Sequence, residues 1–300
     1  MISEQTRPAE VLEQLAREGL AVLPGFVRGE TLGAMQRAFE SRLERMRWNN
    51  FEGYERTERY RLMVENILTL EQGFVSTALH PLVKEVLRAY VGDSYQLVEA
   101  KGWRSLTTQR IFHGWHGDSW YDKTKVSGIP REVKLGVYLT DVKSGAFRYI
   151  RGSHRQHQTR DWKSHEIEKF NQDDISLVTG TAGTAFLFDT SGIHGQSWPI
   201  LEPRHAVFYN YHDPAVPLQE EDITGGRYHP LLLNAAFLGG LTAEDQFILG
   251  FGNKTHFHPD FRRRPRHESL QRWQNSILRN KLIAEEISQR IGLRLRRMLR

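Results

Sequence analysis

The chain predicts a mainly β protein with flanking helices, built as an antiparallel sandwich or barrel, and three observations predict it. Short β-rich runs separated by turn residues follow one another after Tyr95. Helical patterns stand before and after those runs rather than between them, which argues against an alternating α/β order. Val133-Lys134-Leu135-Gly136-Val137-Tyr138-Leu139-Thr140 alternates aliphatic and non-aliphatic residues, as a half-buried strand does. Three hundred residues suffice for one such domain with helical additions.

Taken in order, Glu10–Glu18 reads as a short helix with Val11, Leu12 and Leu15 on one face. Gly19–Phe26 reads as a strand that ends at Pro24-Gly25. Glu30–Trp48 is a longer amphipathic helix with Leu32, Met35, Phe39, Leu43 and Met46 at helical spacing. Asn49–Tyr60 is a polar and aromatic loop. Val75–Val91 is a further helix, punctuated near its start by His80-Pro81 and followed by Gly92. Tyr95–Ala100 and Trp103–Phe112 are β-rich, and Val133–Thr140 follows them. Asp141–Gly145 turns the chain into a short strand, Ala146–Ile150, closed by Gly152-Ser153-His154. Lys163–Phe170 is a helical excursion, and Ile175–Val178, Thr184–Phe188 and Ala206–Tyr211 are three more strands. Leu270–Arg300 reads as a basic amphipathic helix, for packing on the barrel or a partner or for contact with an anionic surface.

Composition excludes several classes. The chain has no cysteine, so disulfides, Cys-ligated zinc, iron–sulfur clusters and thiol catalysis are ruled out. The N-terminal stretch is too polar for a secretory signal, and the longest apolar run, Leu231–Leu241, is too short to span a membrane. A cytoplasmic protein is the expectation. The net charge of +5 is uneven. Asp260–Arg300 carries twelve basic and four acidic residues, so the body is slightly acidic and nucleic acid is not the expected partner.

The chemistry centres on His116-Gly117-Asp118. Residues two apart on an extended segment share a side. An imidazole and a carboxylate so placed are two legs of a metal site, and one more His completes the facial set of non-haem Fe(II) oxygenases. With thirteen histidines such a pair also arises by chance, and His258-Pro259-Asp260 is a second one, past the strands and beside Arg262-Arg263-Arg264. His194 is the candidate third ligand. It follows an apolar strand and lies in Gly192-Ile193-His194-Gly195, where glycines let the backbone approach closely. Arg204 opens the last strand. A buried guanidinium there needs an anion, either a dicarboxylate cosubstrate or a structural Asp or Glu. His113 is expected on the opposite side from His116, and His154 is expected to bond within its own turn.

The order His116-x-Asp118, Gly145–His154 with its Gly-Ser-His, Gly183–Phe188 leading to His194-Gly195, and Arg204-His205-Ala206 resembles the phytanoyl-CoA dioxygenase family over roughly Gly19–Asp213. The resemblance implies a double-stranded β-helix (jelly-roll, cupin-like) core with N-terminal helices and a C-terminal helical extension. The chain is expected to divide into residues 1–260, the oxygenase domain with its N-terminal helices, and 261–300, a basic helical extension outside the resemblance. The resemblance implies Fe(II) held by His116, Asp118 and His194, with 2-oxoglutarate and O2 as cosubstrates. Arg204 would take the distal carboxylate of 2-oxoglutarate, with Ser197 assisting and Arg61 as a further contact. Halogenating members carry a small residue in place of Asp118, so halogenation is not expected.

The activity so implied is hydroxylation of an unactivated C–H in a small biosynthetic substrate, with decarboxylation of 2-oxoglutarate to succinate. Desaturation, ring formation or epimerisation at the same site, and a jelly-roll binding protein without redox chemistry, are the competing readings. Trp103, Arg104, Trp115, Trp120, Tyr121, Lys123 and Lys125 crowd the motif in sequence, which suits either a ring-shaped, anionic substrate or ordinary packing. Trp120–Pro130 and Asp213–Tyr228 are lid candidates. A monomer or homodimer is expected.

Overall fold

A computed structural model describes residues 7–45, 60–111, 113–118, 132–156, 167, 170–213 and 231–251. Two helices frame the first strand. Helix α1, Pro8–Glu18, begins with proline at its first turn, where the missing N–H costs nothing. It ends at Gly19, whose φ of 76° is the left-handed cap that glycine takes at least cost. Strand β1 is Leu20–Leu23, and helix α2 is Gly29–Arg45. Strand β2, Arg61–Val64, leads to helices α3, Gln72–Ala78, and α4, Pro81–Tyr90. The remaining strands are β3 Gln96–Ser105, β4 Glu132–Tyr138, β5 Val142–Ile150, β6 Ile175–Gly180, β7 Ala185–Asp189, β8 His194–Gln196 and β9 Arg204–His212. A short helix α5, Ala243–Ile248, closes the described part under a Thr242–Asp245 capping box.

The strands form two antiparallel sheets. The larger has the order β1-β7-β4-β9-β3-β2 and the smaller β6-β5-β8. Bridges Thr108↔Ile200 and His116↔His194 lay the segment before Asp118 alongside β8, extending the smaller sheet by an irregular edge. This is the mainly β, two-sheet sandwich with flanking helices that the sequence predicts, in keeping with the jelly roll that the resemblance implies.

Register decides what each face does. Ala21, Leu187, Leu135, Tyr209 and Ala100 are lateral neighbours across five strands and share one face. That face packs in one apolar core with Val11, Leu15, Met35, Phe39, Phe74, Val83 and Leu87 of the helices. Each such side chain, fully buried, contributes roughly 1.5–3 kcal/mol. The other face meets the smaller sheet, where Tyr138, Phe186, Phe188 and Ala206 pack with Val142, Phe147, Tyr149 and Val178. Strand β4 therefore turns its aliphatic residues to the helices and Lys134, Gly136 and Tyr138 to the space between the sheets.

Several expectations are corrected. The single helix Val75–Val91 is two, because Pro81 cannot continue α3 and His80 is extended (φ −59°, ψ 133°). The His80 side chain instead caps α4, accepting from the Leu82 N–H at 3.2 Å. Tyr95–Ala100 and Trp103–Phe112 merge into one strand that stops at Ser105. Asp141–Gly145 is largely strand, since β5 starts at Val142 with a register shift before Phe147 and Gly145 at φ 60°. Strand β2 was not foreseen. Lys163–Phe170 (except Ile167 and Phe170), Trp120–Pro130, Asp213–Tyr228 (except Asp213), His258-Pro259-Asp260 and Leu270–Arg300 lie outside the described residues. Among the described residues, no helix is long and apolar enough to cross a membrane.

Candidate metal centre

The structure brings His116, Asp118 and His194 together, with one ligand atom from each all within 4.8 Å of one another. The backbone does this by pairing the His116 segment with β8. His116 and His194 exchange both N–H···O bonds, at 2.9 and 2.8 Å, and Asp118 N–H donates to Thr190 O at 2.8 Å. Both rings are then fixed by their own chain. Nδ1 of His116 lies 3.0 Å from Gly114 O, and Nδ1 of His194 lies 2.8 Å from Gly192 O. A carbonyl only accepts, so each Nδ1 carries a proton, and in the neutral ring the lone pair is on Nε2. Those Nε2 atoms face the carboxylate, His116 at 3.7 Å from Oδ1 and His194 at 3.4 Å from Oδ2. Burial, helped by the neighbouring His194 imidazole, depresses the His116 pKa to about 3 against the opposing pull of Asp118. The imidazole is thus in its neutral, ligating form. Two such nitrogens and one carboxylate, without sulfur, fit Fe(II) on one face.

A supporting shell holds His194. The Asp189 carboxylate accepts from Ser191 N–H at 2.9 Å, Ser191 Oγ at 2.5 Å and the Tyr90 hydroxyl at 2.7 Å. The Tyr149 hydroxyl donates to Asp189 O at 2.9 Å. Ser153 Oγ donates to Ile150 O at 2.6 Å and accepts from Ile193 N–H at 2.8 Å, which clamps the residue before the ligand. Gly192 leaves room for this packing, since a Cβ there would overlap the Tyr149 hydroxyl. Tyr149 and Phe188 flank the His194 ring at centroid distances of 6.3 and 5.0 Å. Among the described residues the His154 ring reaches outside its own turn, its Nε2 3.1 Å from Ala16 O, and ties the turn to α1.

Lys134 reaches the centre from β4, with Nζ 2.6 Å from Asp118 Oδ2. The sequence reading passed over it, although a lysine in an aliphatic strand, in phase with Gly136 and Tyr138, was a visible signal.

Arg204 is buried at the start of β9. It hydrogen-bonds Gly145 O at 2.5 Å, and its guanidinium lies 5.8 Å from the Tyr138 ring centre. Among the described residues no carboxylate pairs with it, and its buried Nε has no partner. Burial lowers its pKa from the usual value, opposed by Tyr138. Among the described residues no structural acid faces Arg204, and a receptor for an external carboxylate fits. Ser197 lies close in the fold, its N–H bound to Ala146 O at 2.9 Å, one residue from the Gly145 carbonyl that holds Arg204. Register places Arg61 opposite Ser105, and Ser105 opposite Arg204, so both arginines share the inner face. The Arg61 guanidinium stacks 3.6 Å from the Trp103 ring centre.

One further expectation is corrected. His113 is on the same side as His116, its ring 4.3 Å away edge-on, because the segment is an irregular edge and two-residue alternation does not apply. The aromatic and basic cluster divides. Trp103 faces the interior, Arg104 pairs laterally with His205 on the helix side, and Trp115 stacks on Arg148 at 3.7 Å. Trp120, Tyr121, Lys123 and Lys125 lie outside the described residues.

Comparison with known proteins bears on the family and the fold. The family model of phytanoyl-CoA dioxygenase (PhyH) matches residues 15–197. Comparison with curated proteins gives no match. Among solved structures, HygX from Streptomyces hygroscopicus with nickel, 2-oxoglutarate and hygromycin B bound is similar in fold. It has a TM-score of 0.50 and 23% identity over 69% of this chain and 87% of that one. SnoN, a non-haem α-ketoglutarate-dependent epimerase from nogalamycin biosynthesis, has a TM-score of 0.52 and 15% identity over 69% of this chain and 83% of that one. With the match spanning more than half its length, the chain belongs to the phytanoyl-CoA dioxygenase family of Fe(II)- and 2-oxoglutarate-dependent oxygenases.

Proposed function

We propose that this oxygenase hydroxylates an unactivated C–H of a small-molecule substrate while 2-oxoglutarate is decarboxylated to succinate. His116, Asp118 and His194 are the iron ligands in this reading. Arg204 grips the distal carboxylate of 2-oxoglutarate through two parallel N–H donors, with Ser197 beside it, and Arg61 adds positive charge on the same face. Bound there, Fe(II) with 2-oxoglutarate and O2 supplies the oxidising power. The chain's own work is to orient three donors, anchor the cosubstrate and exclude competing reactions. The observation that carries the reading is the pair of Nδ1–carbonyl tethers, which turn both Nε2 lone pairs toward one buried carboxylate. HygX, of similar fold, is described with hygromycin B bound, which supports a small-molecule substrate.

The test is anaerobic addition of Fe(II) and 2-oxoglutarate to metal-free protein, watching for the weak visible charge-transfer band of the chelate. The band is expected in the wild type, absent in His116→Ala, and shifted to much higher 2-oxoglutarate concentration in Arg204→Ala. No band from folded wild-type protein overturns the site assignment. Once a substrate is found, a product heavier by one oxygen supports hydroxylation. A product of unchanged mass with an inverted centre, or lighter by two hydrogens, replaces hydroxylation by epimerisation or desaturation.

A further inference from the structure

Asp118 has two oxygens, and the proposed chemistry needs only one of them on the metal. Six positions surround an iron of this kind, and three protein donors leave three open. The two oxygens of the 2-oxoglutarate keto acid end and O2 fill those three. A carboxylate binding through both oxygens would close one, so something must hold the second oxygen away. Carboxylates chelate readily unless their spare lone pairs are engaged elsewhere.

Lys134 is placed to do this. Its Nζ lies 2.6 Å from Oδ2, closer than either imidazole Nε2 lies to the carboxylate. The side chain cannot simply point to bulk solvent. Register pairs Lys134 with Phe188 on one side and Asn210 on the other, in the interior between the sheets, and the side chain is 17% exposed. The imidazoles are committed elsewhere, their Nδ1 atoms tied to Gly114 O and Gly192 O. Oδ1 lies 3.7 Å from His116 Nε2.

We propose that Lys134 is a positioning residue that occupies Asp118 Oδ2, so that the carboxylate offers the metal Oδ1 alone and one coordination position stays open for O2. The inference rests on the ligand set proposed above. It also implies a cost, since the ammonium repels the metal it helps to arrange. Removing Lys134 should therefore tighten metal binding while closing the O2 position.

The experiment compares wild type, Lys134→Met and Lys134→Arg. Three quantities are read: the affinity for Mn(II) alone, the thermal midpoint of the metal-free protein, and the high-spin iron–nitrosyl EPR signal per bound iron. The last uses Fe(II), 2-oxoglutarate and nitric oxide, which takes the place of O2. In Lys134→Met the metal-free protein should melt lower, Mn(II) should bind at least as tightly as in wild type, and most of the nitrosyl signal should be lost. Lys134→Arg should restore the signal. Should Lys134→Met not fold, Lys134→Gln is read in the same way. A folded variant with the wild-type nitrosyl signal overturns the proposal, and so does one that no longer binds Mn(II), which would make Lys134 part of the site's integrity. Absence of the Fe(II)–2-oxoglutarate band in the wild type itself would fault the ligand set instead, so the two failures are distinguishable.

Discussion

Ser153 contributes one oxygen to the placement of His194, and its loss can be followed. Its Oγ accepts from the N–H of Ile193, a residue 1% exposed, and donates to Ile150 O. Ser153→Ala leaves a buried donor unsatisfied, which costs about 1–3 kcal/mol. Denaturant melts should show that loss, and Mn(II) titration should show weaker binding, because the residue before the ligand is no longer pinned. Unchanged stability and affinity would mean that the Asp189 network alone fixes the loop. The triad itself was legible in the sequence, because chemistry-bearing residues followed strand patterns in a fixed order. His113 and Lys134 were less so. Placing His113 by two-residue alternation presumes a regular strand, whereas this stretch only bridges its neighbour at His116. For Lys134 the alternation of β4 defines two faces, but only the assembled sheets show that the aliphatic one meets helices and the other lines the site.

Among the elements, the break between α3 and α4 makes a pH-dependent joint. His80 accepts a hydrogen bond from Leu82 N–H through Nδ1, and its ring packs edge-on to Phe26 at 4.8 Å. Burial lowers its pKa from an ordinary value of about 6.5. A protonated ring can no longer accept that bond. With the folded pKa depressed, the unfolded chain binds the proton more readily, so the stability contribution is complete above about pH 6.5 and is lost as pH falls through the folded value. Asn caps helices well and does not titrate in this range. His80→Asn should thus match wild type in thermal midpoint near neutral pH and lose less of it on acidification toward pH 5. Equal acid sensitivity in the two proteins would assign the effect to other histidines, His116 among them. The same joint shows why sequence periodicity ran past it. Apolar spacing continues from Val75 to Val91, and only the backbone limits set by Pro81 separate the two helices. Strand β2 escaped notice for a related reason. Arg61-Leu62-Met63-Val64 is too short for alternation to speak, and it is a strand because β3 offers it an edge.

For the molecule as a whole, the described cores and the centre lie together in one unit. Residues Met1–His256 separate from Phe257–Arg300 in their contacts. All three apolar clusters, and every residue assigned to iron or 2-oxoglutarate, fall between Val11 and Leu249. The helices of that span pack on the outer face of the larger sheet. Twelve of the tail's residues from Asp260 onward are Lys or Arg. Such a segment contributes long-range charge, which salt screens over about 8–10 Å. A chain ending at His256 should therefore unfold cooperatively and form the Fe(II)–2-oxoglutarate band with wild-type affinity. If the tail serves an anionic surface, the full chain should bind anionic vesicles at low salt and release them at high salt, and the shortened chain should bind neither strongly nor salt-dependently. Calorimetry, the band and vesicle sedimentation read these separately. A shortened chain that is folded but lacks the band would place the tail at the site, and one that does not fold would make it part of the core.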